Sequence, residues 1–183
     1  MAAPARSLPP GTEIRHSRTD DADGFVDLMV AVAGEGRFIG RELPLDRAER
    51  AAAFVQGIDD PERLSLVVDR GGQVIGSLGL AHDGSGNAEL GMLLAADARG
   101  MGLGSALLAE AIAWADAHPV VHKVNLQAWP HNHAALALYR RFGFQVEGYR
   151  HRHWRRNNGE LWDAVIMGLL VTDRTGRAPR RPT

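Results

Sequence analysis

The sequence predicts a mixed α/β domain with helices packed on a central, mostly antiparallel sheet. Three observations carry this. Seven short stretches read as strands and four as helices, in the order β-α-α-β-β-β-α-β-α-β-β. Two glycine-bearing turns, Gly71-Gly72 and Asn157-Asn158-Gly159, join strands that follow one another directly. Between them, residues 97–118 pass from a strand through Gly100, Gly102 and Gly104 into a helix-like apolar pattern.

Each element has its own signal. "TEIRHSRT" (12–19) reads as a first strand. Asp20 or Asp21 suits the cap of a helix through 22–36. A second helix covers 44–58, with Ala52 and Val55 at helical spacing. "RLSLVVD" (63–69) and "VIGSLGLAH" (74–82) make a hairpin, and "NAELGMLLA" (87–95) is a further strand. Leu103, Leu107, Ala111 and Ala115 form the apolar stripe of the next helix, which His118-Pro119 ends. "HKVNLQAW" (122–129) is a strand and "HNHAALALYRRFG" (131–143) a helix capped by Gly143. Residues 144–156 and 160–170 close the sheet as a hairpin.

The 183 residues fit one domain, at 12–171, between flexible tails at 1–11 and 172–183 that are rich in Ala, Pro and Arg. A hydrophobic content of 45% and a charged content of 23% describe a soluble globular chain. The net charge of -1 gives no reason to expect nucleic acid or an acidic membrane as partner. With no cysteine there is no disulfide, thiolate metal site or cysteine nucleophile. No stretch approaches the roughly 20 apolar residues of a membrane span, and a cytoplasmic location is expected.

A strand, a glycine-rich turn and a helix start together make an anion site, and Arg99 adds a fork of donors suited to phosphate. A Walker loop requires a lysine after the glycines, and none follows. A dinucleotide loop requires an acid about 20 residues on, where this chain has Gln127 and Trp129. The pyrophosphate of a carrier such as coenzyme A, or a turn holding no ligand, remain.

"AELGMLLAADARGMGLGSALL" resembles the acyl-CoA-binding stretch of the GNAT superfamily of N-acetyltransferases, whose R/Q-x-x-G-x-G/A loop is matched by Arg99, Gly102 and Gly104. "NHAALALYRRFGF" is similar to the superfamily's N-x-x-A-x-x-L-Y-x-x-x-G-F through Asn132, Ala135, Leu138, Tyr139, Gly143 and Phe144. The resemblance implies an acetyl-CoA-dependent transfer to a primary amine, without a metal. It implies a pantetheine arm bonded to backbone near Leu93 and Leu94. The pyrophosphate is expected on the N–H groups of Gly100, Met101, Gly102, Leu103, Gly104 and Ser105. Asn132 is expected at the coenzyme arm and Tyr139 as general acid toward the leaving thiolate. A homodimer through the later strands is compatible with it.

Seven residues apart, Asn132 and Tyr139 share one helix face, about 10 Å apart along the axis. Tyr139 equally suits a core tyrosine with a satisfied hydroxyl. Glu89 is the candidate general base, sharing a strand face with Gly91 and Leu93, and an ion-paired surface glutamate is the competing reading. His131-x-His133 and His151-x-His153 lack a third ligand at a familiar spacing, so no metal site is expected. The acceptor is expected between Glu35, Arg37, Phe38 and Glu42 on one side and Tyr149 to Trp162 on the other, with His151 and His153 as lining candidates. Arg150, Arg152, Arg155 and Arg156, if turned inward, favour an acceptor bearing a carboxylate, hence an amino acid or related small amine. A protein N-terminus or lysine is the alternative acceptor, and a non-catalytic acyl-CoA-binding module the alternative class.

Overall fold

The computed structural model describes residues 8–82 and 84–171. Its elements are β1 (Thr12–His16), α1 (Ala22–Gly34), α2 (Arg47–Gln56), β2 (Arg63–Arg70), β3 (Gln73–His82), β4 (Asn87–Leu94), α3 (Leu103–Ala117), β5 (Lys123–Ala128), α4 (His133–Arg141), β6 (Gln145–Arg155) and β7 (Leu161–Leu170). This is the order read from the sequence, with short 3-10 turns added at Thr19–Asp21 and Ala96–Ala98. Residues 1–7 and 172–183, most of the two expected tails, lie outside the described residues. Leu8, placed in the first tail by sequence, packs against the core instead.

The strands form one sheet in the order β1-β2-β3-β4-β5-β7-β6. β1 to β4 pair antiparallel, and so do β5, β7 and β6. Gly71 and Gly72 both have positive φ (61° and 88°), as a tight hairpin turn whose twist matches its strands demands. The β4–β5 pair is parallel, because α3 carries the chain back over the sheet between them.

Period-two alternation divides each strand between two cores. On one face Ala88 and Leu90 of β4, with Val124 and Leu126 of β5, pack under Leu103, Leu107, Ala111 and Ala115 of α3 and Leu136 of α4. The expected stripe of α3 is therefore buried. On the other face Val67 and Val74 meet Leu28 and Val32 of α1 and Phe54 of α2. Among the described residues no helix is long and apolar enough to cross a membrane.

The sheet opens at its centre. β4 and β5 pair only at Asn87↔Lys123, Ala88↔Val124 and Glu89↔Asn125. Beyond these rungs β4 follows β3 as far as Leu94, and β5 follows β7 as far as Ala128. The two halves of the sheet diverge as a V.

A charged knot ties the first strand to the start of α1. Arg15 donates to both carboxylate oxygens of Asp21 (2.7 and 2.8 Å) and to Asp69 of β2 (2.8 Å). Asp21 occupies the N-cap position of α1, but its carboxylate accepts from Arg15 and from the Arg18 N–H (2.7 Å) and makes no cap bond to the helix. The side-chain cap expected from the sequence is thus replaced by an ion pair, which keeps Asp21 satisfied at 8% exposure. The Arg15 hydrogen bonds hold both carboxyls below the ordinary aspartate value. Because the folded pKa values are depressed, this stabilisation is complete above the unfolded aspartate value of about 3.9 and is lost as pH falls below it. Asp21→Asn is expected to lower unfolding free energy by about 2 kcal/mol at pH 7. In urea titrations the gap between variant and wild type should close toward pH 3.

Candidate active site

The three glycines of the loop do different work. Gly100 and Gly102 have φ of 75° and 87°, where a side chain is strained. They turn the chain so that Gly102 becomes the N-cap of α3 without any side-chain cap and without an acid in the first turn. The Ser105 and Ala106 N–H groups bond back to the Gly102 carbonyl (3.0 and 3.1 Å), while those of Leu103 and Gly104 belong to the unpaired donors of a helix start. Such a helix start carries partial positive charge, a cradle-like arrangement that favours an anion. Gly104 is helical and serves packing: a Cβ there would lie 3.2 Å from Leu138, 3.4 Å from Leu94 and 3.7 Å from Met92. Met101 is exposed and Leu103 is buried, so these two can offer a ligand only backbone or surface contact.

The open edge of β4 sits directly before the cradle. The Ala95 N–H donates to the Ile75 carbonyl of β3 (2.9 Å). By antiparallel alternation Leu93 therefore also points its backbone at β3, whereas Met92 and Leu94 turn theirs toward the V. The expected backbone contact at Leu93 thus moves one residue, to Met92. Of the groups at Leu94, the carbonyl is already taken by Arg99, whose Nε and Nη2 donate to it at 3.1 and 2.9 Å. The rest of that guanidinium lies on Glu35, so it does not stand free at the mouth of the cradle as its sequence position suggested.

Tyr139 is fixed by the way α4 ends. The Phe144 N–H bonds to the Tyr139 carbonyl (3.1 Å) and the Gly143 N–H to the Arg140 carbonyl (3.0 Å), with Gly143 at φ 92°. This is a Schellman motif, in which the residue after the glycine packs on the residue five earlier. Here the Phe144 and Tyr139 rings lie 5.6 Å apart. The Y-x-x-x-G-F spacing is the spacing of that helix end. Tyr139 is 7% exposed, and burial pushes its phenol up to about 12. Among the described residues its hydroxyl has no hydrogen-bond partner, and the side chain borders the cleft. Asn132 is the N-cap of α4, its Oδ1 accepting from the Ala135 N–H (3.2 Å), and it also borders the cleft.

The cleft, about 2430 Å³, exceeds the roughly 300–1000 Å³ of a single small-ligand pocket. It reaches through the V to the α1 side of the sheet. There Ser65, Gly79 and Gly91 stand in one cross-strand row, and a Cβ at either glycine would meet nothing within 4 Å. The row is the floor of a trough, bordered by Glu89 and Gln127 and walled by Phe25, Phe38, Trp129 and Trp154. Glu89 thus lies on the expected face. The segment after α1 is fastened across this trough. His131 Nε2 donates to the Arg37 carbonyl (2.7 Å), Arg156 to the carbonyls of Ile39 and Gly40 (both 3.3 Å), and the Asn157 N–H to Glu42 (2.9 Å).

Several acceptor candidates fall elsewhere. Glu35 pairs with Arg99, and the Arg37 side chain is exposed beside Phe38. His151 pairs with Asp163 (3.2 Å) and His153 accepts from Arg150 (3.3 Å); neither borders the cleft. The four arginines do not converge on it. Arg150, Arg152 and Arg155 are exposed, while Arg156, at 4% exposure, is committed to the fastened segment, stacks 4.4 Å over Trp162 and meets Glu42. The clustering of Trp129, Trp154 and Trp162 was not read from the sequence, because aromatic residues on three different segments carry no common spacing. Among the described residues no group of three or more His, Asp or Glu could hold a metal ion.

Residues 29–144 match the model of the Acetyltransferase (GNAT) family. A mycothiol acetyltransferase of Clavibacter sepedonicus is 35% identical over 141 residues, 76% of this chain and 45% of the relative, so the chain spans less than half of that protein's length. A ribosomal-protein-alanine N-acetyltransferase from Brucella melitensis superposes with a TM-score of 0.77 at 26% identity, covering 86% of this chain and 99% of that one. A GNAT superfamily phosphinothricin acetyltransferase from Sinorhizobium meliloti, solved in complex with AcCoA, gives 0.80 at 22% identity over 93% and 94%. The chain shares its fold with both of these acetyltransferase structures. The chain belongs to the GNAT acetyltransferase family.

Replacing Gly143 by alanine is expected to cost about 1–2 kcal/mol, because the left-handed position after α4 tolerates only glycine cheaply. The helix end also orients Tyr139, so turnover should fall more than thermal denaturation alone explains at 25 °C.

Proposed function

We propose that this protein moves the acetyl group of acetyl-CoA to a primary amine of a small molecule, such as an amino acid, by direct attack in a ternary complex. The observation that supports the small-molecule reading is the fastening of residues 37–42 to His131, Arg156 and Asn157, which holds this segment in place beside the trough as one wall of a bounded acceptor site. Acetylation of a protein N-terminus or lysine is the second reading, favoured by the similarity to the ribosomal-protein-alanine enzyme.

The residues present suit the donor. The pyrophosphate would meet the Gly100–Ser105 cradle, and the amides of the pantetheine arm would pair with the backbone of Met92 and the Leu94 N–H. Bound acetyl-CoA supplies a thioester, an activated acetyl group. Glu89, on the trough side, takes the proton of the attacking amine, directly or through water. Tyr139 donates its O–H to the departing sulfur. With its pKa pushed up to about 12, it keeps its proton at every physiological pH. Against a thiol of about 8.5 it acts mainly as a hydrogen-bond donor. The non-catalytic alternative gives no role to this hydroxyl, which bonds to no protein group among the described residues and opens on the cleft.

Thiol release from acetyl-CoA, measured against amino acids, polyamines, aminoglycosides and peptides, tests the assignment. Turnover is expected with at least one small amine, and turnover on peptides alone would transfer the assignment to the second reading. Tyr139→Phe should lower kcat about 100-fold and Glu89→Gln about 10-fold. In the wild type, kcat should rise with pH as the amine loses its proton, and show no fall attributable to Tyr139 below about pH 11, one unit under its raised value.

A further inference from the structure

Arg99 adjoins the glycine cradle but turns its side chain away from it. Nε and Nη2 donate to the Leu94 carbonyl at 3.1 and 2.9 Å, and Nη1 and Nη2 donate to the Glu35 carboxylate at 2.7 and 2.5 Å. The guanidinium carbon lies 4.4 Å from the Phe38 ring centroid. A guanidinium has five N–H donors, so these four bonds leave one, on Nη1. The anchors belong to different halves of the site. Leu94 ends the run of β4 that faces the V, whereas Glu35 opens the segment that borders the trough and Phe38 is one of its walls.

We propose that Arg99 is a positioning residue that links the donor cleft to the acceptor loop, rather than a ligand of the coenzyme's phosphates. Whatever fixes the end of β4 then fixes residues 35–38 through one rigid, planar group. A coenzyme arm paired beside Leu94 orders the acceptor side, and by linkage an ordered acceptor side favours the coenzyme. The pair is intact at neutral pH, since the Arg99 hydrogen bonds hold the Glu35 carboxyl below its ordinary range. The inference rests on the acetyl-CoA reading only for the identity of the donor.

A phosphate ligand makes the opposite forecast. Arg99 would have to leave Glu35 to offer phosphate more than the one donor left on Nη1, so removing that carboxylate would release the guanidinium and tighten coenzyme binding. Calorimetric titration with coenzyme A and amide hydrogen exchange of residues 35–43, in wild type, Glu35→Gln and Glu35→Ala, separate the two. In the free protein, Glu35→Ala is expected to speed exchange of this segment about tenfold, with Glu35→Gln between it and wild type. Coenzyme A should protect the segment in wild type and not in Glu35→Ala, while its affinity for the variant falls by no more than about fivefold. Tighter coenzyme A binding by Glu35→Ala, or equal protection of the segment in variant and wild type, overturns the proposal. Should the wild type bind no coenzyme A, the donor reading fails by itself. The exchange rates of the free variants still decide whether Arg99 holds the loop.

Discussion

Three rungs of parallel pairing between β4 and β5 govern the rest of the molecule. Had the pairing continued, the sheet would be closed and the backbone groups of Met92 and Leu94 would be satisfied by β5. Because it stops at Glu89↔Asn125, strand edges face each other across a gap inside a single sheet. Such edges are the most reactive backbone a fold can present, since they recruit any chain that offers complementary amides. β4 is kept in line on its other side by β3, and β5 by β7, so the gap is held open by the sheet itself. α3, starting at the mouth of this gap, adds its unpaired N–H groups at the one place where a long, flexible, anionic ligand would emerge.

The remaining chemistry is arranged around the gap by local rules. The Schellman end of α4 sets the Tyr139 ring against Phe144, and the N-cap at the other end of that helix fixes Asn132. On the opposite face, small residues on β2, β3 and β4 leave a floor that neither α1 nor α2 covers. The molecule therefore has two unlike sides: a helix-packed face that positions the tyrosine, and a partly roofed face that offers a glutamate and aromatic walls. The cleft joins them through the V.

Much of this was legible in the residues. All eleven helices and strands stand in the order read from the sequence, because each carried its own periodicity or its own turn glycine. The glycine cradle and the tyrosine helix were legible for a similar reason: their geometry is local, made of neighbours in the chain. What escaped was decided at long range. Arg99 turned to Glu35, 64 residues away, and Arg156 to carbonyls 116 and 117 residues away. Asp21 chose Arg15 over its own helix, a competition that capping preference alone does not settle. The four arginines of the last hairpin looked equivalent on paper. Long-range contacts make them unequal: Arg156 is buried against Ile39, Gly40 and Trp162, and the other three are exposed.

The capped carbonyl of Leu94 has a consequence for measurement of length. An open strand edge repeats every two residues, and a ligand pairing with it can slip from one rung to the next. With the Leu94 oxygen withdrawn by Arg99, the last rung offers a donor without its acceptor, and the ladder has a marked end. A carrier arm docked against it has one register. Its reactive tip would then come to rest at one depth in the sheet, as against a ruler with its zero engraved.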